Sequence, residues 1–275
     1  MIELLTVGPQ AVVQDLGRTG YLELGVGRSG AADEQAHRLA NRLVGTAETA
    51  ATIEITLGGF AFRLLRAATV ALTGARCASA SAWHTALSLP AGAVIALGRP
   101  DIGLRSYLAV RGGFAVEPVL GSRSTDTLSG LGPALLGIGD LLPIGDAVFS
   151  KPAEVAFAPE PSGPIRVVPG PRLDWFAPDA LDTLLTADWT VAPNSNRIGS
   201  RLTGPELTRT RKGELPTEPT LPGAIQVPPD GQPIVLGPDA PTTGGYPVIA
   251  VVATADRHRL GQLRPGGSVR FAIAH

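Results

Sequence analysis

Short apolar runs interrupted by glycine and proline set the pattern of this chain. Runs at 2–7, 11–13, 53–57, 60–65, 69–72, 93–97 and 104–110 have the length and residue types of strands. Those at 225–227, 234–236, 248–254 and 268–273 repeat the character in the last third. Gly8-Pro9, Gly58-Gly59 and Gly112-Gly113 punctuate them as tight turns. Helical spacing is rarer. Over 31–44, Ala36, Leu39, Ala40, Leu43 and Val44 fall on one apolar face, with Glu34, His37, Arg38 and Asn41 as the opposite polar stripe. Ser29 is placed to cap that helix and Gly45 to stop it. A second helix is expected over 178–185, with Leu181, Leu184 and Leu185 on one side. The stretch 150–164 holds four prolines and little periodicity, so 151–164 is expected to be a linker between halves at 1–150 and 165–275. Both 2–9 and 165–171 read as an apolar strand running into Gly-Pro, a hint of two related barrels.

Composition sharpens this to a mainly β class with a few short helices: 34 glycines, 25 prolines and 5% aromatics suit tight turns between short strands. A hydrophobic content of 44% supports a packed core. A net charge of −1 lacks the basic footprint of a nucleic-acid binder. No window reaches the ~18 apolar residues of a membrane span, and Met1–Leu5 has neither a basic segment nor an apolar signal core, so a soluble, cytoplasmic protein is expected. Cys77 is the only cysteine, which excludes an internal disulfide framework. Lys151 and Lys212 are the only lysines, so a carboxylate or phosphate clamp here would be built from arginine.

Few standard motifs survive inspection. Gly25-Val26-Gly27-Arg28-Ser29-Gly30 fits a dinucleotide-binding string, but no alternating helix–strand series follows, and Glu54 opens the next strand rather than closing it. A glycine turn feeding a helix accounts for it, with an anion at the helix start as the intermediate reading. His37, His84, His258 and His275 share no metal-ligand spacing, and neither lysine sits in a biotin-acceptor context. What remains is a set of dense polar-plus-glycine strings: 14–21, Arg28-Ser29-Gly30 with Asp33 and Asn41, 196–202, 223–231, and Asp239 with 242–247. Turn chemistry explains each residue type singly. Together they suggest loops gathering polar groups around one pocket, with Thr-Thr-Gly-Gly presenting amides and hydroxyls to an oxyanion.

These strings resemble the KipA-type family, whose members carry the names 5-oxoprolinase C subunit, allophanate hydrolase subunit 2 and biotin-dependent carboxyltransferase. The resemblance is carried by Val13-Gln14-Asp15-Leu16-Gly17-Arg18-Thr19-Gly20-Tyr21, Gly30-Ala31-Ala32-Asp33, Ala40-Asn41-Arg42-Leu43-Val44-Gly45, Ile53-Glu54-Ile55-Thr56, Leu72-Thr73-Gly74-Ala75 and Ser122-Arg123-Ser124-Thr125. It continues through Arg197-Ile198-Gly199, Gly223-Ala224-Ile225-Gln226-Val227-Pro228, Thr242-Thr243-Gly244-Gly245-Tyr246-Pro247 and Gln262-Leu263-Arg264-Pro265-Gly266. It implies two cyclophilin-like β-barrel halves, the first carboxyltransferase-like. It also implies a KipI-like partner and a third subunit, together forming an ATP-dependent 5-oxoprolinase. Pro241 and Thr217-Glu218-Pro219 depart from the family's tendency toward a polar residue and Ser-Glu-Gly there, and 128–140 is terse.

Under that reading Asp15 and Asp239 are the expected catalytic carboxylates, as metal ligands or base. Arg18, Ser29 and Arg197 would hold a carboxylate or phosphate. Thr242, Thr243, Gly244 and Gly245 would form an anion nest, with Gln226 and Tyr246 orienting the substrate. ATP with Mg²⁺ is the expected cofactor, bound here, in the partner or at their interface, with no covalent biotin on this chain. Two alternatives stand beside it: carboxyl transfer from a separate biotinyl protein to a urea- or amide-like acceptor, and non-catalytic binding of a KipI-like protein. Homo-oligomer formation is left open.

Overall fold

The computed structural model describes residues 1–77, 83–153, 162–213 and 215–274. The chain divides into two compact units, Met1–Arg18 with Ser29–Glu160, and Thr19–Arg28 with Pro161–His275. Segment 19–28 thus groups with the second unit although it lies within the expected first half. Most of the expected linker, 154–161, lies outside the described residues.

The first unit is built on two antiparallel sheets. One runs in the order Leu141–Leu142, Ile2–Val7, Phe60–Leu64, Val94–Leu97. The other runs Gln10–Gln14, Thr52–Thr56, Arg105–Val110, Ala68–Gly74, Ala86–Leu89. Alternation decides what faces the core. Ile2, Leu4, Phe60, Phe62 and Leu64 of the first sheet pack against Val13, Ile53, Ile55, Leu72, Leu108 and Val110 of the second. The opposite residues of the central strand, Tyr107 and Ala109, lie under helix Glu34–Val44, against Ala36, Leu39, Ala40 and Leu43. Strand Arg105–Val110 is therefore buried on both faces, as its continuous apolar run suggests. Cys77 is buried beside this sheet, its Sγ 3.7 Å from Ser106 Oγ, and burial pushes its thiol pKa up.

The helix starts later than its periodicity implies. Asp33, not Ser29, is the cap: its carboxylate accepts from the Ala36 amide at 2.9 Å. Gly45 ends the helix in the left-handed region. His37 and Asn41 are fully buried, unlike the rest of the expected polar stripe. Their side chains bond loop 48–52: His37 Nδ1 meets Thr52 Oγ1 at 2.8 Å, and Asn41 Nδ2 donates to the Ala50 carbonyl at 2.8 Å.

The second unit is an eight-stranded, nearly closed sheet. Its order is Ser268–Val269, Trp189–Val191, Gly199–Thr203, Ile234–Leu236, Ala224–Gln226, Val248–Val252, Ile165–Pro169, Phe271–Ile273. All neighbours are antiparallel except the last pair. Trp189, Val167, Ile225, Val235, Ile249 and Phe271 fill the interior. Helix Ala180–Thr186 closes on it through Ala180 and Leu184, and Trp189 Nε1 donates to the Leu184 carbonyl at 3.0 Å. Strand Gly199–Thr203 begins inside the string 196–202 that sequence reads as a polar loop. A two-stranded ribbon, Glu218–Pro219 with Thr243–Gly244, stands apart from the main sheet.

Candidate functional site

The expected site residues divide between the two units. Asp15, Arg18 and Ser29 belong to the first, and Arg197, Gln226, Asp239 and 242–246 to the second.

In the first unit, loops 14–18 and 122–125 close around Asp15. Its Oδ1 accepts from the Gly17 amide at 2.7 Å, Ser122 Oγ at 2.7 Å and Ser124 Oγ at 2.5 Å, and its Oδ2 accepts from the Arg123 amide at 2.6 Å. Burial opposes ionisation, but these hydrogen bonds outweigh it and hold the carboxyl below the usual range. A carboxylate with four donors organises these loops, and its lowered pKa makes it a weak base in this arrangement.

The same loops carry Arg18 and Gln14. Gln14 Nε2 donates to the Thr125 carbonyl at 2.8 Å and Arg18 Nη2 to the adjacent Ser124 carbonyl at 2.5 Å. Arg18 is 2% exposed, and its Nε and Nη1 have no hydrogen-bond partner among the described residues. Gln14 Oε1 is likewise buried and unmatched there. Ser29, at φ 56°, donates from Oγ to the Thr125 carbonyl at 3.2 Å. Gly132 completes this corner. A Cβ there would run into the Ser124 carbonyl and come within 3.1 Å of Arg18 Nη2, and its φ of +90° already selects glycine.

A second buried network supports the loop that carries Ser29. Glu54 Oε2 accepts from Tyr107 Oη at 2.8 Å and the Ala32 amide at 2.9 Å, and Glu54 Oε1 lies 3.2 Å from Arg105 Nε. Tyr107 Oη accepts from the Asp33 amide at 2.7 Å. Burial, then the Glu54 charge, raises the Tyr107 pKa well above its ordinary value. Sequence reading passes over this network, because it weighs Glu54 against a dinucleotide-binding pattern and as part of a family segment, not as a partner of Tyr107 and Arg105.

In the second unit, Arg197 grips Asp239 with two parallel bonds, Nε to Oδ2 at 2.8 Å and Nη2 to Oδ1 at 2.9 Å, both side chains buried. The pair ties turn 196–199 to segment 237–239, with the Gly237 amide donating to the Ile198 carbonyl at 2.8 Å. Asp239 thus meets Arg197 as a two-point partner, the arrangement in which the structure places this expected carboxylate.

The ribbon supplies the more open chemistry. Glu218 pairs with Gly244 and Pro219 with Thr243. The Thr220 amide donates to the Thr242 carbonyl at 2.9 Å, and Thr220 Oγ1 donates to the Pro241 carbonyl. Gln226, on strand Ala224–Gln226, reaches toward it, its Nε2 a long 3.4 Å from the Tyr246 carbonyl. A Cβ on Gly244 would come within 2.9 Å of that amide nitrogen, so glycine leaves Gln226 its position. The hydroxyls of Thr242, Thr243 and Tyr246 and Gln226 Oε1 make no hydrogen bond among the described residues. Arg172, which sequence reading missed, forms a two-point ion pair with Glu218, with Nε 3.1 Å from Oε2.

Among the described residues no three His, Cys, Asp or Glu side chains gather to hold a metal ion. Among the described residues, Asp15 and Asp239 are engaged by protein donors and do not assemble an Mg²⁺ cage.

The family described as carboxyltransferase domain, subdomain A and B, matches residues 24–273. The 5-oxoprolinase C subunit of Escherichia coli (strain K12) is 42% identical over 98% of this chain and 90% of its own length. The protein of the same name from Haemophilus influenzae is 35% identical over the same shares. Among solved structures, the K. lactis urea amidolyase superposes with a TM-score of 0.94 and 31% identity. It is matched over all of this chain, which spans 19% of that larger one.

Proposed function

Because the chain belongs to the carboxyltransferase subdomain A and B family, we propose that it serves as the C subunit of an ATP-dependent 5-oxoprolinase. The observation that carries this reading is the 42% identity with the E. coli protein, which runs through nearly the whole of both chains. The reaction converts 5-oxoproline, ATP and water to glutamate, ADP and phosphate. A lactam carbonyl is a poor electrophile. Phosphoryl transfer to its oxygen makes the carbon attackable, a first water adds, the C–N bond opens to leave an acyl phosphate and the freed amine, and a second water hydrolyses the acyl phosphate to carboxylate and phosphate. A protein taking part in this reaction must hold anions and an amide.

Both kinds of group are present. Arg18 offers two buried, unmatched N–H positions to an anionic oxygen. Gln226 offers a side-chain amide, which can pair with the N–H and C=O that a lactam shows on one edge. Ser29 and the Thr242–Tyr246 segment line these two places. Asp15 and the Arg197–Asp239 pair hold the frames. ATP is used by the assembly with a KipI-like partner and a third subunit.

The test is reconstitution with each subunit omitted in turn, following glutamate released from 5-oxoproline with and without ATP. Release that needs ATP and stops without this chain is the expected result, and a silent complete mixture beside an active E. coli control sinks the assignment. The fit to urea amidolyase over the whole chain favours carboxyl transfer as the second reading. That activity would emerge only when a biotinylated carrier is added.

A further inference from the structure

We infer that Arg172 is the residue that recognises the substrate's carboxylate, and that Glu218 occupies its guanidinium until substrate arrives. The inference rests on the 5-oxoprolinase reading and extends it to a residue that gives the site its substrate class.

Arg172 is fixed at its backbone and adjustable at its tip. The Gly170 amide donates to the Ile249 carbonyl at 2.8 Å and the Arg172 amide to the Val248 carbonyl at 3.4 Å. This places Arg172 against the strand that Tyr246-Pro247 leads into. Its guanidinium then reaches Glu218, whose register partner is Gly244, the residue that leaves room for the Gln226 amide. An arginine fork, a primary amide and the Thr243 hydroxyl therefore lie around one short ribbon within the second unit.

The ion pair is unlike the buried pair Arg197–Asp239. Arg172 and Glu218 side chains are 38% and 29% exposed, against 1% and 0% for Arg197 and Asp239. A pair at that exposure contributes little to stability and exchanges readily with another carboxylate. Its geometry is nonetheless two-point, the form in which guanidinium selects carboxylates. 5-Oxoproline carries its carboxylate on the carbon next to the lactam nitrogen. Gln226 can pair with the lactam edge while Arg172 exchanges Glu218 for the carboxylate. A neutral amide such as urea or 2-pyrrolidinone makes the first contact and lacks the second. The ribbon thereby separates acidic lactams from neutral amides.

The experiment uses the reconstituted assembly and compares wild type with Arg172→Gln, Arg172→Lys and Glu218→Gln on 5-oxoproline and 2-pyrrolidinone. Arg172→Gln should raise KM for 5-oxoproline by about tenfold or more, the worth of one charge-assisted pair, with kcat within about threefold. Arg172→Lys should recover part of that loss, and Glu218→Gln should lower KM because the competing carboxylate is gone. The preference for 5-oxoproline over 2-pyrrolidinone should shrink most in Arg172→Gln, less in Arg172→Lys, and not in Glu218→Gln. If all three variants lose kcat together at unchanged KM, or if melting shows that the ribbon needs the pair to fold, the pair is a strut and the inference falls while the 5-oxoprolinase reading stands. A wild-type assembly without turnover overturns both.

Discussion

Arg18 occupies a position that the rest of its unit does little to reward. A guanidinium 2% exposed, bonded through one nitrogen to the Ser124 carbonyl and with no partner for Nε or Nη1 among the described residues, costs more in desolvation than it returns. Replacing such a cation by an apolar side chain of similar length is often neutral or stabilising. Arg18→Met is therefore expected to melt no lower than wild type and to lose about a hundredfold or more in kcat/KM in the assembly. A clear drop in melting temperature with activity kept would show Arg18 to be structural. Asp15 is the opposite case. Three donors meet its Oδ1 and one its Oδ2, so its side chain ties the two loops together.

Among elements, the loop leading into helix Glu34–Val44 depends on acids that lie far from it in sequence. Glu54→Gln would leave Arg105 buried beside a neutral partner and weaken the acceptor for Tyr107 and the Ala32 amide. A cost of about 3–5 kcal/mol in urea unfolding is expected, as for other half-removed buried pairs. A cost below about 1 kcal/mol would show that the network does not hold this loop. Elements of this kind also mark where sequence reading stops. The helix was legible because Ala36, Leu39, Ala40 and Leu43 repeat at its period. The burial of His37 and Asn41 was not, because their partners in loop 48–52 are set by tertiary contact. Strand Gly199–Thr203 was hidden by its Gly-Ser-Arg start, and the ribbon by having two residues per strand. Gln226 and Arg18 stood out in polar glycine strings, whereas Arg172 sits alone after Gly170-Pro171 and shows its role only through Glu218.

Across the whole molecule, the groups with depressed pKa values, His37, Asp256 and Asp15, push stability the same way on the acid side. Burial lowers the His37 pKa from 6.5 to about 4. Between those values the unfolded chain binds a proton that the folded chain refuses, so stability falls as pH drops through 6.5 toward 4, by up to about 3 kcal/mol. Asp256, held to about 2 chiefly by its hydrogen bond from Arg166, and Asp15, also depressed, act lower. Their contribution is present above roughly pH 4 and is lost as pH falls past their folded values. The urea midpoint should therefore decline from pH 7 to pH 5 in wild type and stay nearly flat in His37→Gln, whose amide can still meet Thr52 and the Glu48 carbonyl. Parallel declines would assign the acid sensitivity elsewhere.

Cys77 makes the chain unusually convenient to instrument. With one thiol in the whole sequence, buried and with its ionisation suppressed, reagents that alkylate thiols meet almost nothing on the native surface. A cysteine introduced at Thr243, which is exposed on the ribbon, would carry a fluorophore or spin label on an essentially silent background. The native thiol would meanwhile serve as an internal clock, modified only as fast as the first unit opens around it.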